Sequence, residues 1–378
     1  MHIIIKVLML CLFCTGCNRK TKKLEIPNIT FKLGENMKFT HNLRNLKHRH
    51  PQIYNDLYSP NKPSYVYVIR QSDPNWIDKY DMSSEKVDSF IIPEEVFQGI
   101  PQRIENFSVI GLDTFSIQAA YESNNGTVFF EFSKDYLKKY KMPDFHKGKH
   151  FLVENTVINP LNVTTDNALG MLVYSDFRDE SSQKNIDSLC ENYALVKFHL
   201  KDSTVNFFDK YDDVFCEGKI KNPFVQFKLR LINDDNIIVV SPFKPEFRIY
   251  NQSEMEIKTF DFEEFDKHKF YLNNPIKEIL ENDYFISLTY NSIKHQYYLM
   301  MFEGGDYLEP DDFIAEPIQK RKFTLLVFNE AFNLEGKINF SDTFSNTYFG
   351  TVYPSPNGFF LQKNTKNKYE IQEFIIQN

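Results

Sequence analysis

The sequence predicts an all-β fold made of repeated four-stranded antiparallel units, and three observations support this prediction. Phenylalanine and tyrosine, which suit pleated strands, number 37 and 21 among 378 residues, whereas tryptophan occurs once. Short apolar and β-branched runs alternate with polar turn signals along most of the chain, and helical patterns are scarce. Units of this kind recur about every 35 to 65 residues, so a repeat architecture is expected.

The template of the pattern is a strand, a tight turn and a second strand at residues 124–142, NNGTVFFEFSKDYLKKYKM, whereas the clearest set of four strands lies within residues 225–260. The template starts with an Asn-Asn-Gly turn signal, because both residue types tolerate a positive φ. Residues 127–132 are β-branched and aromatic and predict a strand. Residues 133–135 predict a hairpin tip, and residues 136–142 predict a second strand that Pro143 ends. Taken alone, this second segment would also suit a short helix.

Similar strands are predicted in order along the rest of the chain. They are residues 29–33, 65–70, 86–92, 107–112, 114–121, 157–163, 169–174, 193–200, 203–211, 225–232, 236–241, 246–250, 256–260, 284–290, 296–302, 324–328, 334–340, 348–353, 358–361 and 369–376. Residues 65–70 and 86–92 are expected to pair across a long tip, and residues 41–63 to form a loop. Single helical turns are expected within residues 93–98 and 261–267.

These strands group into sets of four, which is typical of a β-propeller with radial blades. The grouping predicts six blades, and a seventh within residues 41–63 or 306–322 stays open. The last set has three strands, so residues 29–33 are expected to supply the fourth by pairing with residues 369–376. This pairing of the N- and C-terminal strands would close the ring and remove free edges. A pair of β-sandwich domains is the rival fold, but no linker is visible.

The N-terminus has the pattern of a secretory signal peptide over residues 1–16. Lys6 precedes an apolar run over residues 7–13, which is shorter than the roughly 20 residues that a membrane-spanning helix needs. Thr-Gly before Cys17 resembles the lipobox of bacterial lipoproteins, which implies that Cys17 carries the lipid. Cys14 is the weaker candidate, and a plain cleaved signal or a buried N-terminal strand are the alternatives.

Three regions follow from this interpretation: a signal peptide over residues 1–16, a lipidated tether over residues 17–26 and a propeller domain over residues 27–378. The tether contains Arg and Lys residues but no acidic run of the kind associated with surface export in some Gram-negative lipoproteins. We therefore expect a lipoprotein of the cell envelope, anchored in the membrane at the periplasmic face of the outer membrane.

The charge of the chain excludes one class of partner. The net charge of −7 argues against a nucleic-acid partner, which needs a clustered positive surface.

Cys190 and Cys216 are the cysteines of the expected domain, and they flank the predicted hairpin of residues 193–211. Folding that hairpin brings both cysteines to its open end, so either a disulfide or two free buried thiols is expected.

Candidate chemistry is sparse. His146 and His150 have helical metal-pair spacing, but the intervening Gly148 favours a solvated loop, and His48-Arg49-His50 is interpreted in the same way. An acidic cluster at Asp306, Glu309, Asp311 and Asp312 suits an exposed loop better than a calcium site.

The remaining candidates have structural interpretations. Asp212-Asp213 and Asp234-Asp235 are interpreted as turn residues. Tyr284, Tyr297 and Tyr298 suit the core better than a carbohydrate platform. No GxSxG, P-loop or GxGxxG motif occurs, and no catalytic residue, metal or cofactor is assigned.

Three features together resemble the uncharacterised six-bladed β-propeller lipoproteins of Gram-negative bacteria, a family of unknown function with a TolB-like propeller layout. They are the lipobox, the Asp113-Thr114-Phe115 step that opens a strand, and the unit TLLVFNEAFNLEGKINF at residues 324–340. The resemblance implies the fold and an envelope location but no activity. We expect a binding or scaffold propeller for a protein or glycan partner. The alternative is a glycan-processing hydrolase or lyase with an axial active site.

Overall fold

The computed structural model of the chain describes most of the predicted strands. The described residues are 26–39, 52–56, 63–70, 76–83, 85–96, 104–119, 128–141, 149–152, 162–164, 166–174, 190, 193–216, 229–233, 236–251, 254–260, 262, 265, 281–305, 322–340, 352–364 and 369–377.

The strands form six antiparallel sheets. The first strand is β1 (Thr30–Phe39). Blade 1 contains β2 (Gln52–Asn55), β3 (Ser64–Arg70), β4 (Trp76–Tyr80) and β5 (Lys86–Ile91). Blade 2 contains β6 (Ile104–Gly111), β7 (Thr114–Ala119), β8 (Val128–Phe132) and β9 (Leu137–Lys141). Blade 3 contains β10 (Lys149–Leu152), β11 (Asn162–Val163), β12 (Asn167–Tyr174), β13 (Tyr193–His199) and β14 (Val205–Lys210).

The second half of the chain continues in the same way. Blade 4 contains β15 (Leu229–Asn233), β16 (Asn236–Val240), β17 (Glu246–Asn251) and β18 (Glu254–Thr259). Blade 5 contains β19 (Tyr284–Asn291), β20 (Gln296–Phe302), β21 (Phe323–Asn329) and β22 (Leu334–Asn339). Blade 6 contains β23 (Tyr353–Ser355), β24 (Gly358–Asn364), β25 (Tyr369–Gln377) and, as its outer strand, β1. Helical structure among the described residues comprises a 3-10 turn at Glu94–Val96, a helical turn at Asp213–Cys216 and the single helical residues Cys190 and Glu281.

The six sheets are arranged as a six-bladed β-propeller. The first strand of each blade contacts the first strand of the next, in the order β2, β6, β11, β15, β19, β23 and back to β2. These innermost strands therefore form a closed ring. β1 pairs antiparallel with β25 from Thr30↔Gln377 to Phe39↔Tyr369, so the predicted closure by the two ends of the chain is confirmed.

Apolar side chains fill the seams between blades. The hydrophobic clusters of the described residues lie between neighbouring blades. They fill the seams between blades 1 and 2, 3 and 4, 4 and 5, 5 and 6, and 6 and 1, and each seam is named below by its two blades. This arrangement follows from the sequence pattern, because a four-stranded sheet with apolar residues on both faces needs a neighbour on each side. Tyr284, Tyr297 and Tyr298 are 6%, 3% and 0% exposed, so their interpretation as core residues is confirmed.

Two strands of blade 1 were missed by sequence reasoning. β2 lies inside the segment expected to be a loop, and β4 lies between the two strands that were expected to pair directly. β4 escaped detection because Asp78 and Lys79 interrupt its apolar pattern although both are buried. Asp78 Oδ1 accepts hydrogen bonds from Ser89 and Lys86, each at 2.8 Å, so polar partners from β5 meet this buried carboxylate inside the blade.

Blade 3 also differs from the prediction. The backbone of His150 lies in β10, which pairs with β12, so the expectation of a loop at that position is wrong. β11 pairs with another part of β12 and is shorter than the strand predicted for residues 157–163. The innermost position of this blade is therefore shared by two short strands. The segment read as strand or helix at residues 136–142 contains β9, which confirms the strand.

The propeller has two unlike ends, because antiparallel neighbours reverse direction at every turn. Turns between the first and second strands and between the third and fourth strands lie at one end, which we call the short-turn end. Examples are residues 112–113, 292–295 and 330–333. The strand ends that the remaining connections join, for example β14 with β15 and β18 with β19, lie at the opposite end, which we call the long-connection end.

Candidate functional site

The best-defined group of polar and aromatic side chains lies at the short-turn end of blades 4 and 5. We call it the mouth cluster, because its inner members stand where two innermost strands end beside the centre of the ring. Its residues are Asn233, Tyr290, His295, Tyr297, Glu330 and Phe332.

Two tight turns hold the outer members of the mouth cluster in place. The Asn291 side-chain oxygen accepts hydrogen bonds from the backbone amides of residues 293 and 294, at 3.0 and 3.1 Å. Asn329 does the same for residues 331 and 333, both at 3.0 Å. Each turn then places a bulky residue in the left-handed region, with φ of 55° at His295 and 62° at Phe332. Such conformations are costly for residues other than glycine and often mark functional positions.

Glu330 links the two turns. The Tyr290 hydroxyl donates a 2.5 Å hydrogen bond to Glu330 Oε1, and His295 Nδ1 lies 2.8 Å from the same oxygen. Hydrogen bonds from Tyr290 and His295 lower the pKa of Glu330, so this carboxylate stays ionised near neutral pH. Burial, followed by the hydrogen bond to Glu330, raises the pKa of Tyr290, so its hydroxyl remains a protonated donor.

Aromatic packing fixes the inner side of the cluster. The ring of Tyr297 stacks on Phe332 with a centroid distance of 4.7 Å and lies at the same distance from Tyr290. Asn233 Nδ2 donates a 2.7 Å hydrogen bond to the Tyr297 hydroxyl across the seam between blades 4 and 5. Lys258 Nζ lies 5.4 Å from the Phe332 centroid, within reach of a cation–π contact.

This geometry suits recognition better than proton transfer. Glu330 and His295 have side-chain exposures of 55% and 67%, so both can meet a ligand while their partners remain packed. With the proton on Nδ1 facing Glu330, the other ring nitrogen of His295 would be an acceptor. Within the described contacts of the cluster, no serine, threonine or cysteine lies beside His295 as a nucleophile.

A second feature of the short-turn end is an open cleft of about 520 Å³ at the seam where the ring closes. Its walls come from the β4–β5 turn, from the start of β3 and from a bulge in β1. Gln372 Nε2 donates hydrogen bonds to the carbonyls of Gly34 and Glu35, both at 3.0 Å, which stabilises the bulge. Bulges commonly redirect side chains, and this one places Glu35 in the cleft wall.

The seam between blades 3 and 4 contains a buried ion network near the long-connection end. Arg248 donates hydrogen bonds to Asp209 at 2.9 Å, to Asp212 at 3.2 Å and to Glu246 at 2.7 Å. Burial lowers the pKa of Arg248, the three carboxylates raise it, and the net change is upward. Asp212 also accepts a 2.7 Å hydrogen bond from Ser241, so the expectation that it is a simple turn residue is wrong.

Cys190 and Cys216 form a disulfide with a Cα–Cα distance of 5.6 Å, and it joins the two ends of the β13–β14 hairpin. Both cysteines pack against the apolar cluster of the same seam. The disulfide and the ion network therefore act on the same pair of blades. This is a structural arrangement, since every group in it is occupied by a partner within the protein.

Most of the other residues singled out from the sequence lie outside the described residues. These are Cys14, Cys17, His48, Arg49, His50, His146, Asp234, Asp235, Asp306, Glu309, Asp311 and Asp312. In the part of the chain that is described, no group of three or more His, Cys, Asp or Glu side chains is placed to hold a metal ion. None of the helices found there has the length and apolar character needed to cross a membrane.

Sequence reasoning missed the mouth cluster itself. His295, Glu330 and Phe332 belong to hairpin turns, where polar and variable residues are the ordinary expectation. The available signal was an asparagine at the start of each turn, Asn291 and Asn329, which predicts a capped turn but not which side chains meet.

Comparison with known proteins adds information about the fold. No family model and no curated protein sequence matches the chain. Among solved structures, a member of the DUF4221 family from Bacteroides vulgatus is similar, with a TM-score of 0.69 and 12% identity, covering 93% of this chain and 99% of that chain. A protein from Bacteroides fragilis has a TM-score of 0.51 and 9% identity, covering 92% and 96%. At these identities the likeness concerns the fold alone.

A glycoside hydrolase is also similar in part, with a TM-score of 0.33 and 10% identity, covering 74% of this chain and 62% of that chain. A likeness at this level carries no argument about activity. The similar solved structures therefore agree with the six-bladed propeller fold. The function has to be inferred from the chemistry of the site.

Proposed function

We propose that this protein is a lipid-anchored binding protein of the cell envelope, and that it holds a protein partner at the mouth cluster. Cys17 would carry the acyl chains, and the propeller would present the cluster as a rigid contact surface. Each buried methylene of an acyl chain contributes about 0.8 kcal/mol, so several chains suffice for stable attachment.

The observation that carries this proposal is the hydrogen-bonded arrangement of Tyr290, Glu330 and His295 next to the Tyr297–Phe332 stack, with His295 and Phe332 in the left-handed backbone region. Rigid aromatic side chains surrounded by hydrogen-bonding groups are typical of the energetically dominant part of a protein interface. Little conformational entropy would be lost on binding, because the two turns already fix these side chains.

Site-specific photo-crosslinking in cells tests the proposal. A benzophenone amino acid replaces Ala331, which lies in the β21–β22 turn, and in a matched control it replaces Asp202, in the corresponding turn of blade 3. We expect a discrete protein adduct from position 331, its loss in the Glu330→Gln background, and no such adduct from position 202. An adduct that stains for carbohydrate, or one unaffected by Glu330→Gln, would contradict a protein partner at this cluster.

The lipid anchor is tested separately by metabolic labelling with a fatty-acid analogue. Incorporation is expected in the wild-type chain and in Cys14→Ser, and its loss is expected in Cys17→Ser. Equal incorporation in the wild-type chain and Cys17→Ser would place the acyl chains elsewhere.

A further inference from the structure

The path of the chain into the propeller fixes where the N-terminal segment comes from. Residues 27–29 run parallel to β22 and bridge to it at Asn28↔Lys337. The amide of Ile29 donates to the Lys337 carbonyl at 2.8 Å, and the Lys337 amide donates to the Pro27 carbonyl at 3.0 Å. β22 starts at the short-turn end, after the turn of residues 330–333. A segment parallel to it must therefore enter from the short-turn end.

Side chains on both faces of blade 5 hold this entry point. Ile26 packs against the apolar cluster of the 4–5 seam, whose neighbours include Phe332 and Leu334. Ile29 packs against the cluster of the 5–6 seam. The segment thus crosses the outer edge of blade 5 before it becomes the outer strand of blade 6.

Gly336 makes the close approach of this segment possible. A Cβ atom at this position would lie 2.7 Å from Ile29 Cγ1 and 2.8 Å from the Pro27 carbonyl oxygen. Both distances are shorter than real Cβ contacts allow, so any other residue would push residues 27–29 away from β22. Gly305 offers a matched control, because a Cβ there would meet nothing within 4 Å.

The tether between Cys17 and Ile26 is short. Cys17 precedes Ile26 by nine residues, and an extended chain spans at most about 3.6 Å per residue, or roughly 30 Å in total. The strands that run between the two ends of the propeller have up to ten residues, as in β1, and at about 3.3 Å per residue such a strand spans roughly 33 Å. A tether that leaves from the short-turn end would therefore have to lie fully extended along a blade to reach the opposite end.

We propose that the short-turn end of the propeller faces the lipid surface and that the long-connection end points away from it. This orientation rests on the proposed acylation of Cys17. Ile26, the last residue of the tether, is held at the 4–5 seam where the chain enters from the short-turn end. Bringing the opposite end to the membrane would therefore use up the full length of the tether. Arg19, Lys20, Lys22 and Lys23 favour the same arrangement, because cations close to the bilayer are attracted to anionic headgroups.

A consequence follows for the mouth cluster. His295 and Glu330 lie at the end that faces the membrane, next to the entry of the tether. A protein partner of this cluster must then itself be held close to the membrane surface.

Fluorescence quenching by spin-labelled lipids tests the orientation. The full-length acylated protein is reconstituted into vesicles of phosphatidylethanolamine and phosphatidylglycerol that contain a nitroxide lipid. A fluorescent amino acid is placed at Ala331 at the short-turn end or at Glu95 at the long-connection end, both of which are exposed. We expect several-fold stronger quenching at position 331. Equal quenching, or stronger quenching at position 95, would overturn the orientation.

Flotation of the same vesicles separates the orientation from the anchor. If the wild-type protein fails to float with the vesicles, the proposed anchor is wrong and the orientation falls with it. If the protein floats but the two positions are quenched equally, the orientation alone is wrong.

The glycine variants add a readout that depends on residues 27–29. Gly336→Ala should leave flotation intact, because Cys17 is unchanged, and should move the ratio of quenching at the two positions towards one. Gly305→Ala should leave both flotation and the ratio as in the wild-type protein. A ratio unaffected by Gly336→Ala would overturn the role assigned to the contact with β22.

Discussion

Phe247 and Arg248 are consecutive residues of β17, yet they stabilise two different seams by different chemistry. Phe247 points into the 4–5 seam, where its ring lies 4.9 Å from Phe328 and 5.0 Å from Phe332. Arg248 points into the 3–4 seam and binds the carboxylates of blade 3. One face of blade 4 therefore relies on ring packing, and the other on charges reinforced by the disulfide.

This difference implies that the two seams can be destabilised independently of each other. Ring packing depends on buried apolar area and shape, so it is insensitive to protonation and tolerates changes elsewhere. A buried ion network depends on every member, because removing one partner leaves the others as uncompensated charges. The two seams should accordingly respond to different perturbations.

The largest effect is expected from Phe247→Ala, because this side chain is 0% exposed and contacts several rings. Its removal should lower the free energy of unfolding by about 3 to 5 kcal/mol, measured by urea denaturation. Phe207→Ala is the control, since Phe207 is 43% exposed and its loss should cost about 0.5 kcal/mol or less. Similar losses in the two variants would mean that the 4–5 seam is not held by its rings.

Arg248→Met should cost about 3 kcal/mol, because it leaves the buried carboxylates of Asp209 and Asp212 close together without the guanidinium. Adding Asp212→Asn to Arg248→Met should recover part of this loss, although Asp212→Asn alone is destabilising. Strictly additive free energies of unfolding in this double-mutant cycle would show that the network is not coupled.

Opening the disulfide should cost about 3 kcal/mol in the chain-entropy model, given the sequence separation of 26 residues. The comparison is between oxidised and reduced wild-type protein in thermal unfolding. The Cys190→Ala/Cys216→Ala variant should unfold like the reduced protein and should not respond to a reductant. An unchanged melting temperature after reduction would show that the disulfide does not stabilise the 3–4 seam.

The smallest effect is expected at the rim of the ring-packed seam, where Glu330 is solvent-exposed. The pKa of Glu330 is below its ordinary value of 4.5 in the folded protein, so its contribution is complete above that pH and disappears as the pH falls through the folded value. The stability difference between wild type and Glu330→Gln should shrink over this acidic range. Glu254→Gln, at an exposed glutamate of β18, is the control, and an equal pH dependence in both variants would contradict the assignment.

The architecture was largely predictable from the chain. The alternation of apolar and polar residues and the turn signals predict most of the strands, and the incomplete last set predicts the closure by β1 and β25. β4 escaped prediction because it buries polar residues whose partners lie elsewhere in the sequence. Lys79 of β4 is an example, since its ion pair at 2.8 Å is with Asp113 of the next blade.

The mouth cluster could not be predicted, for a related reason. Glu330 and His295 are 35 residues apart in sequence, and they meet because two turns of blade 5 lie side by side. Asn233 comes from blade 4 and contributes only after the 4–5 seam has formed. Local patterns predict each turn, whereas the distance between the side chains depends on the completed ring.

The pairing of β1 with β25 has a consequence for biogenesis. Asn36 donates a hydrogen bond to Glu370, 334 residues further along the chain, so β1 stays unpaired during synthesis until β25 has been made. Contacts of such large sequence separation form slowly. A truncated polypeptide that lacks β25 would display the unpaired edges of both β1 and β24, and exposed edges of this kind favour aggregation. Synthesis of β25 is thereby coupled to closure of the ring.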